Sequence, residues 1–249
     1  MKDRTLHRKF VTLLALGAIV SLSFVPQARA VTFVEVHYLP CIQLVGGQSA
    51  QVSASNFSNA SVSVTITITN AVGEIVGTKA VTLAPNKTTA LSITNGDTTA
   101  AYSAMVEVSA ANSVASNFQV FSPNGETAAL SLPYINTTPA VQDTGSVRLT
   151  PGQSGAATVT NITAEVQPID YVVINNSGAT VLSESVTLNP GQTMTWSFTN
   201  TGTADNGYRA VATSQAETTV TCSLMTLNAA GQVVTIEPLK GDGNAQVKN

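Results

Sequence analysis

Side chains that could do acid–base or nucleophilic chemistry are scarce in this sequence. Of its two histidines, only His37 lies outside the basic N-terminal segment. A serine hydrolase needs a general base beside its nucleophile. His37 alternates with Val36 and Tyr38 on an early strand, which favours a solvent-facing or edge position. No Gly-x-Ser-x-Gly turn accompanies it, and residues 152–155 lack the required spacing. We therefore predict no catalytic residue.

Metal ligands are equally sparse. One histidine and two cysteines that lie 181 positions apart do not make a zinc cluster. The nearest approach to a calcium loop is Asp242 to Asn244, within a polar stretch (240–249) that we interpret as a flexible C-terminal tail. Of the 14 acidic residues, all but Asp3 lie beyond the N-terminal segment, scattered singly. Two carboxylates suffice for a glycosidase, so an enzyme stays a third alternative. The sequence predicts no metal and no cofactor.

The two cysteines, Cys41 and Cys222, are more informative. Cys222 alternates with Val220 and Leu224, so its side chain is expected to point towards a core. In an oxidising compartment a pair of cysteines usually forms a disulfide. Three outcomes stay open: an intrachain disulfide between an early and a late strand, an interchain disulfide between subunits, and two buried free thiols.

A carbohydrate-binding module usually presents exposed aromatic side chains to the sugar. The single tryptophan, Trp196, alternates with Phe198, and the two align with Leu91 and Ile93 of the internal repeat described below. Aliphatic counterparts indicate a core position for Trp196 and not a sugar platform. Because this leaves no clear sugar platform, we keep carbohydrate or small-ligand binding as the alternative function and not as the first one. A glycan is the alternative partner.

The N-terminal segment has the pattern of a secretory signal. Four basic residues precede an apolar run over 11–25, and small residues at 28 and 30 form a cleavage motif. The apolar run is short for a membrane span. We predict a cleaved signal peptide, 1–30, and an exported protein in the periplasm, at the cell surface or outside the cell.

The chain beyond this segment is sparsely charged and acidic. It has 6 basic and 13 acidic residues, a net charge of −7. Nucleic acids and anionic membrane surfaces need clustered Lys and Arg, so neither is expected as a partner. The chain has no second apolar segment long enough for a bilayer, and we expect no membrane span once the signal is removed.

The sequence contains an internal repeat. The stretches VTLAPNKTTALSITN (81–95) and VTLNPGQTMTWSFTN (186–200) share 8 of 15 residues at an offset of 105. Other identities keep this offset, or an offset of 106 after one inserted residue: Gln48 and Gln153, Asn56 and Asn161, Tyr102 and Tyr208, Val114 and Val220. A nearly constant offset over about eighty residues predicts two copies of one domain.

Each copy has the pattern of short antiparallel strands. Over 61–69, Val and Ile alternate with Ser and Thr, which gives a strand one apolar face and one hydroxyl face. Pro85-Asn86 and Pro190-Gly191 then mark tight turns, since Pro sets the turn and Asn or Gly accepts the conformation that follows. Without a segment of sustained helical period, the pattern predicts an all-β fold of two tandem immunoglobulin-like antiparallel β-sandwich domains.

Two tyrosines extend this interpretation. Tyr102 and Tyr208 each follow a turn with an aspartate, Asp97 or Asp205, and each begins an alternating strand. The pattern resembles the tyrosine corner of immunoglobulin-like sandwiches, in which the tyrosine hydroxyl bonds to an upstream backbone group. We place the two domains at 31–126 and 127–239.

The approach to the second domain carries a further resemblance. Pro133-Tyr134-Ile135-Asn136, followed by Asp143-Thr144-Gly145, resembles the domain entry of secreted bacterial proteins built from tandem immunoglobulin-like sandwiches. The resemblance implies an extracellular structural or adhesive module and supplies no catalytic residue. We therefore expect an exported, non-catalytic protein that works through protein–protein contacts or self-association at its strand edges.

Overall fold

The regular elements in the described part of the chain are all β-strands. A computed structural model describes residues 31–96, 98–131, 133–135, 140–217 and 219–240. The predicted signal peptide, Asp97, Asn136 and the tail beyond Lys240 lie outside the described residues. Among those that are described, no helix is long and apolar enough to cross a membrane. The all-β prediction is confirmed.

Eighteen strands follow one another in the described residues. The first nine are β1 (Glu35–Leu44), β2 (Ser49–Asn56), β3 (Val62–Asn70), β4 (Ile75–Leu83), β5 (Thr88–Thr94), β6 (Ala100–Val108), β7 (Val114–Phe121), β8 (Thr127–Ser131) and β9 (Tyr134–Ile135). The other nine are β10 (Val141–Thr144), β11 (Val147–Leu149), β12 (Ser154–Asn161), β13 (Gln167–Asn175), β14 (Thr180–Leu188), β15 (Thr193–Thr199), β16 (Asn206–Ser214), β17 (Val220–Leu227) and β18 (Val233–Lys240).

The strand order is the same in the two halves of the chain. The first half has one sheet ordered β4-β3-β6-β1-β9 and a second ordered β5-β2-β7-β8. The second half has the order β14-β13-β16-β10 and β15-β12-β17-β18, joined through β10 and β18; with β11, which pairs with β16, they form one nine-stranded sheet. Strands β2 to β5 coincide with β12 to β15 when 105 is added to their residue numbers, and β6 coincides with β16 at an offset of 106.

Alternating side chains build two hydrophobic cores, and the first of them continues into the second half through Ala156, Met225, Leu227, Val233 and Ile236. In β3 the apolar face of Val62, Val64, Ile66 and Ile68 is buried, as the alternation predicted. Each such side chain contributes about 1.5–3 kcal/mol when removed from water. The turns also match: Asn86 and Gly191, equivalent at the offset of 105, have φ angles of 58° and 70°. The predicted tight turns are confirmed.

Buried amides close the ends of both sandwiches with matching hydrogen bonds. The Asn56 Nδ2 donates to the Leu83 carbonyl at 3.0 Å, and the Asn161 Nδ2 donates to the Leu188 carbonyl at 3.0 Å. Gln48 Oε1 accepts from a backbone N–H at 3.1 Å, and Gln153 Oε1 does so at 3.0 Å. These amides satisfy backbone groups where strands end, which explains why Asn and Gln recur at these positions.

The first set of strands reaches beyond the predicted boundary at 126 and 127. β8 pairs with β7, and β9 pairs with β1 through His37 opposite Ile135. Both strands therefore extend the sheets of the first half. At the other end, Lys240 is the last residue of β18 and not the first of a tail.

The two halves meet across a buried hydroxyl layer. Strand β17 is buried on both faces, since Cys222 and Leu224 face the second core while Ser223 and Met225 face β1. In β1 the register shifts between Leu39 and Ile42. Pro40 cannot donate to the ladder, and the shift leaves the Cys41 carbonyl to accept from the Ser223 hydroxyl at 2.6 Å. Hydroxyl groups of the second half thus replace ladder bonds that β1 lacks.

Candidate functional site

A histidine, a glutamate and a serine meet inside the first sandwich. His37 Nδ1 lies 2.7 Å from the Ser116 hydroxyl, and His37 Nε2 lies 2.7 Å from Glu35 Oε1. The backbone N–H of Asn112 donates to Glu35 Oε2 at 2.8 Å. The tautomer that satisfies all three side chains has His37 Nε2–H donating to Glu35 and Nδ1 accepting from the Ser116 hydroxyl. In residue types and connections, this set resembles a hydrolase triad.

Burial excludes a substrate from this set. His37 is 0% exposed, Glu35 2% and Ser116 5%, so the serine oxygen has no open path to an acyl group. The expected edge or solvent-facing position of His37 is wrong. β1 lies between β6 and β9 in its sheet, and His37 points to the inner side. The set connects β1 in one sheet with β7 in the other, which makes it a structural cross-link.

Neither Glu35 nor Ser116 was predicted as a partner of His37. Glu35 and His37 are two residues apart and therefore share a face of β1, a signal that was present in the sequence. Ser116 is 79 positions from His37, and only the packing of the two sheets brings it close.

Both cysteines are free, buried thiols. Burial raises the pKa of the Cys41 thiol to about 12, although hydrogen bonds from the Thr193, Thr160 and Thr158 hydroxyls lower it in part. Cys222 lies in the second core, where burial raises its pKa well above the ordinary value. The intrachain disulfide is not formed in this structure, because the Cys41 thiol approaches the hydroxyl face of the second-half sheet and Cys222 lies on the other face.

The aromatic side chains of the second half pack inside it. Trp196 stacks on the fully buried Tyr171 with ring centroids 5.1 Å apart and packs against the second core. Trp196 is half-buried at the margin of this core, so its predicted core position is met only in part. Tyr208 is buried against Phe198. The Tyr102 hydroxyl donates to the Asn95 side chain at 3.0 Å, so its bond goes to an amide oxygen and not to backbone as in a tyrosine corner.

A polar groove of about 480 Å³ opens where the two halves meet. Its lining includes the amides of Gln43 and Asn70 and the hydroxyls of Thr193, Thr195 and Ser197. Gln43 Oε1 and Thr195 Oγ1 are shielded from solvent and have no hydrogen-bond partner among the described residues. Buried polar atoms usually have partners, so these two mark a place where a polar ligand could bind.

Within the described part of the chain, two equivalent strands have no strand paired on one side of their backbone. β4 is the end of its sheet beyond β3, and β14 is the end of its sheet beyond β13. Both have nine residues, and most of their side chains are exposed or half-buried. An unpaired strand edge presents N–H and C=O groups to another chain. We call β4 and β14 the open edges. Among the described residues, no three His, Cys, Asp or Glu side chains gather as a metal site.

Comparison with known proteins gives only distant matches. No family model matches the chain, and no curated protein matches it. An anti-sigma factor domain-containing protein has 4% identity and a TM-score of 0.27, over 80% of this chain and 82% of that one. The CBM22-1–CBM22-2 tandem domain of Paenibacillus barcinonensis Xyn10C has 10% identity and a TM-score of 0.23, over 80% and 82%. A Bacteroides uniformis beta-glucuronidase has 13% identity and a TM-score of 0.21, over 81% and 26%. Similarity at this level assigns no function.

Proposed function

We propose that this protein is an exported, non-catalytic structural or adhesive subunit that contacts other proteins along its open edges. The single observation that carries the proposal is the pair of nine-residue edge strands, β4 and β14, at equivalent positions of the two halves. Main-chain pairing at such an edge gives affinity, and alternate side chains give specificity. The sealed position of Ser116 and His37 supports a non-catalytic role.

The proposal includes two tandem immunoglobulin-like copies of one domain. The shared strand order, the shared offset and the matching amide hydrogen bonds support a duplication. Because β8 and β9 pair with first-half strands, we place the boundary between Ile135 and Val141. Export is proposed from the signal-like pattern of residues 1–30.

Site-specific photo-crosslinking in the exporting cell tests the role of the edges. A photoreactive amino acid replaces Thr78 on β4 or Thr187 on β14, both exposed, and Asn124, exposed in the turn between β7 and β8, is the matched control. We expect crosslinked products from Thr78 and Thr187 and none from Asn124. Equal crosslinking at all three positions, or none at the edges, would contradict the proposal. The mass of the product distinguishes a second copy from an unlike partner.

A second candidate function is the binding of a small neutral polar ligand, such as a sugar, in the groove. The unpartnered Gln43 Oε1 and Thr195 Oγ1 favour it, because hydroxyl groups of a ligand could donate to both. A glycan array with the wild-type protein and the Thr195→Val variant tests it. Binding that the substitution abolishes would support this function, and a wild-type protein that binds no glycan would reject the sugar.

A further inference from the structure

Each open edge carries one charge, at its centre. Lys79 is the fifth of the nine residues of β4, and Glu184 is the fifth of the nine residues of β14. The two positions are equivalent at the offset of 105. The other eight residues of each strand are uncharged. One domain edge therefore has a central cation, and the other has a central anion.

Both charges lie on the inner face of their sheets. Lys79 pairs with the fully buried Ile66, and Glu184 pairs with the fully buried Tyr171. Cross-strand partners share a face, so both charged side chains extend from the inner face at the margin of their sheets, where Lys79 is exposed and Glu184 is half-buried. Lys79 Nζ donates to the Ala90 carbonyl of β5 at 2.9 Å, and an ammonium group has two further donors. Among the described residues, Glu184 has no ion-pair partner.

Inward-pointing charges at a strand edge normally prevent association. Such a charge no longer opposes association when the strand that is added carries the opposite charge directly across from it. We propose that the open edge of β4 binds the open edge of β14 from a second copy of this chain, antiparallel, with Lys79 opposite Glu184. This inference rests on the proposed function, since it names the partner at the open edges.

The centred charges select this register. Two antiparallel nine-residue strands overlap fully only when their fifth residues are opposite each other, which places Lys79 beside Glu184. In that register the half-buried Val81 and Leu182 also become cross-strand neighbours on the inner face. Because Lys79 and Glu184 both extend from inner faces, this pairing puts the inner face of the β4 sheet of one molecule and that of the β14 sheet of the other on the same side of the joined sheet. The two sheets can therefore continue across the junction.

Pairing of like edges is disfavoured by the same charges. Two β4 strands in full overlap would place Lys79 opposite Lys79, and two β14 strands would place Glu184 opposite Glu184. Like charges directly opposite each other destabilise a sheet. Each molecule therefore offers one edge of each kind, and the contact is heterologous. Repeated head-to-tail contacts close into a ring or continue as a filament.

Charge-exchange variants of the full exported chain test the proposal by sedimentation velocity over a range of concentrations. We expect the wild type to associate. The Lys79→Glu variant alone and the Glu184→Lys variant alone should each associate about tenfold more weakly. A mixture of the two variants, and the double variant Lys79→Glu/Glu184→Lys, should regain association, because opposite charges again face each other.

Matched controls separate this effect from net charge and folding. Lys87→Glu and Glu165→Lys make the same charge changes at exposed positions outside the edge strands, and we expect both to associate as the wild type does. Thermal unfolding confirms that each variant is folded. High salt should weaken the association of the wild type, since exposed ion pairs are screened.

The outcomes distinguish this inference from the proposed function. A wild type that stays monomeric, or a mixture of variants that associates no better than each variant alone, would overturn the pairing of β4 with β14. If edge crosslinks to an unlike protein still form in that case, the proposed function stands without self-association. If edge crosslinks are absent as well, both fail.

Discussion

The buried set of Glu35, His37 and Ser116 allows a sharp test of the structural role that we assign to it. The perturbation is Glu35→Ala, which removes a carboxylate that accepts from His37 Nε2 at 2.7 Å and from the Asn112 N–H at 2.8 Å. Both donors are then left without that acceptor. His37 stays fully buried, so water cannot easily replace the carboxylate.

The expected cost follows from these two contacts. An unsatisfied buried donor costs about 1–3 kcal/mol, so the loss of the acceptor for two donors costs about 2–6 kcal/mol. We expect Glu35→Ala to lower the free energy of unfolding by about 2–6 kcal/mol. For a chain of this size the melting temperature should fall by about 10 °C. Ser116→Ala breaks only one hydrogen bond and should cost about 1–2 kcal/mol.

Urea unfolding of the wild type and the variants measures these differences. Glu126→Ala, at an exposed glutamate, is the matched control and should change stability by less than about 0.5 kcal/mol. The double variant Glu35→Ala/Ser116→Ala should show a coupling energy of about 0.5–3 kcal/mol, because both residues contact His37.

Two results would refute this reasoning. One is a cost of Glu35→Ala no larger than that of Glu126→Ala, which would mean that water or rearrangement replaces the carboxylate. The other is covalent labelling of Ser116 in the folded protein by a fluorophosphonate. That labelling would require an open path to a serine that is 5% exposed, and it would restore the catalytic interpretation.

The thiols and the glycine turns yield further predictions. At pH 8 a maleimide should label neither Cys41 nor Cys222 in the folded protein and should label both in denaturant. The reason is that the thiolate is the reactive form and that burial raises the pKa values of both thiols. One label or none in denaturant would indicate a disulfide. The pKa of the Cys41 thiol is raised from 9.0 to about 12, so the protonated thiol contributes fully to the free energy of unfolding below pH 9. This contribution should be lost between pH 9 and pH 12. Urea titrations should show a loss of up to about 1.4 kcal/mol per pH unit. Gly73→Ala should destabilise more than Gly178→Ala in thermal melts. Both glycines have positive φ, but a Cβ at Gly73 would lie 2.7 Å from the Pro190 carbonyl, whereas a Cβ at Gly178 meets nothing within 4 Å. Equal losses would show that the turn contact yields without cost.

The strands could be predicted from the sequence because their signals are local. In β3 a period of two separates Val and Ile from Ser and Thr, and burial follows that period residue by residue. Asn86 and Gly191 could be assigned to turns for a similar reason, since positive φ is accepted by few residue types. The strands β12 to β16 of the second half then follow from β2 to β6 by the offset of 105 or 106.

The position of a residue within the sandwich could not be predicted in this way. Alternation showed that His37 shares a face with Glu35, but not which face. β9, which arises about a hundred residues later, pairs on the far side of β1 and makes it an interior strand. Contacts at strand edges were expected, but not which strands form the edges, and the opposite charges of Lys79 and Glu184 become informative only when both strands are known to end their sheets.

The sequence by itself determined the all-β class, the strand over 61–69, the two proline turns and the internal offset, because each depends on neighbouring residues or on identities along the chain. The tertiary structure alone decided what each strand faces. It placed Ser116 beside His37 across two sheets, and it placed the hydroxyl of Ser223 on the carbonyl of Cys41 between the two halves. Such contacts join residues 79 and 182 positions apart. Period-two alternation assigns a side chain to one of two faces, whereas only the packing of the sheets determines whether that face meets water, a core or the other half of the chain.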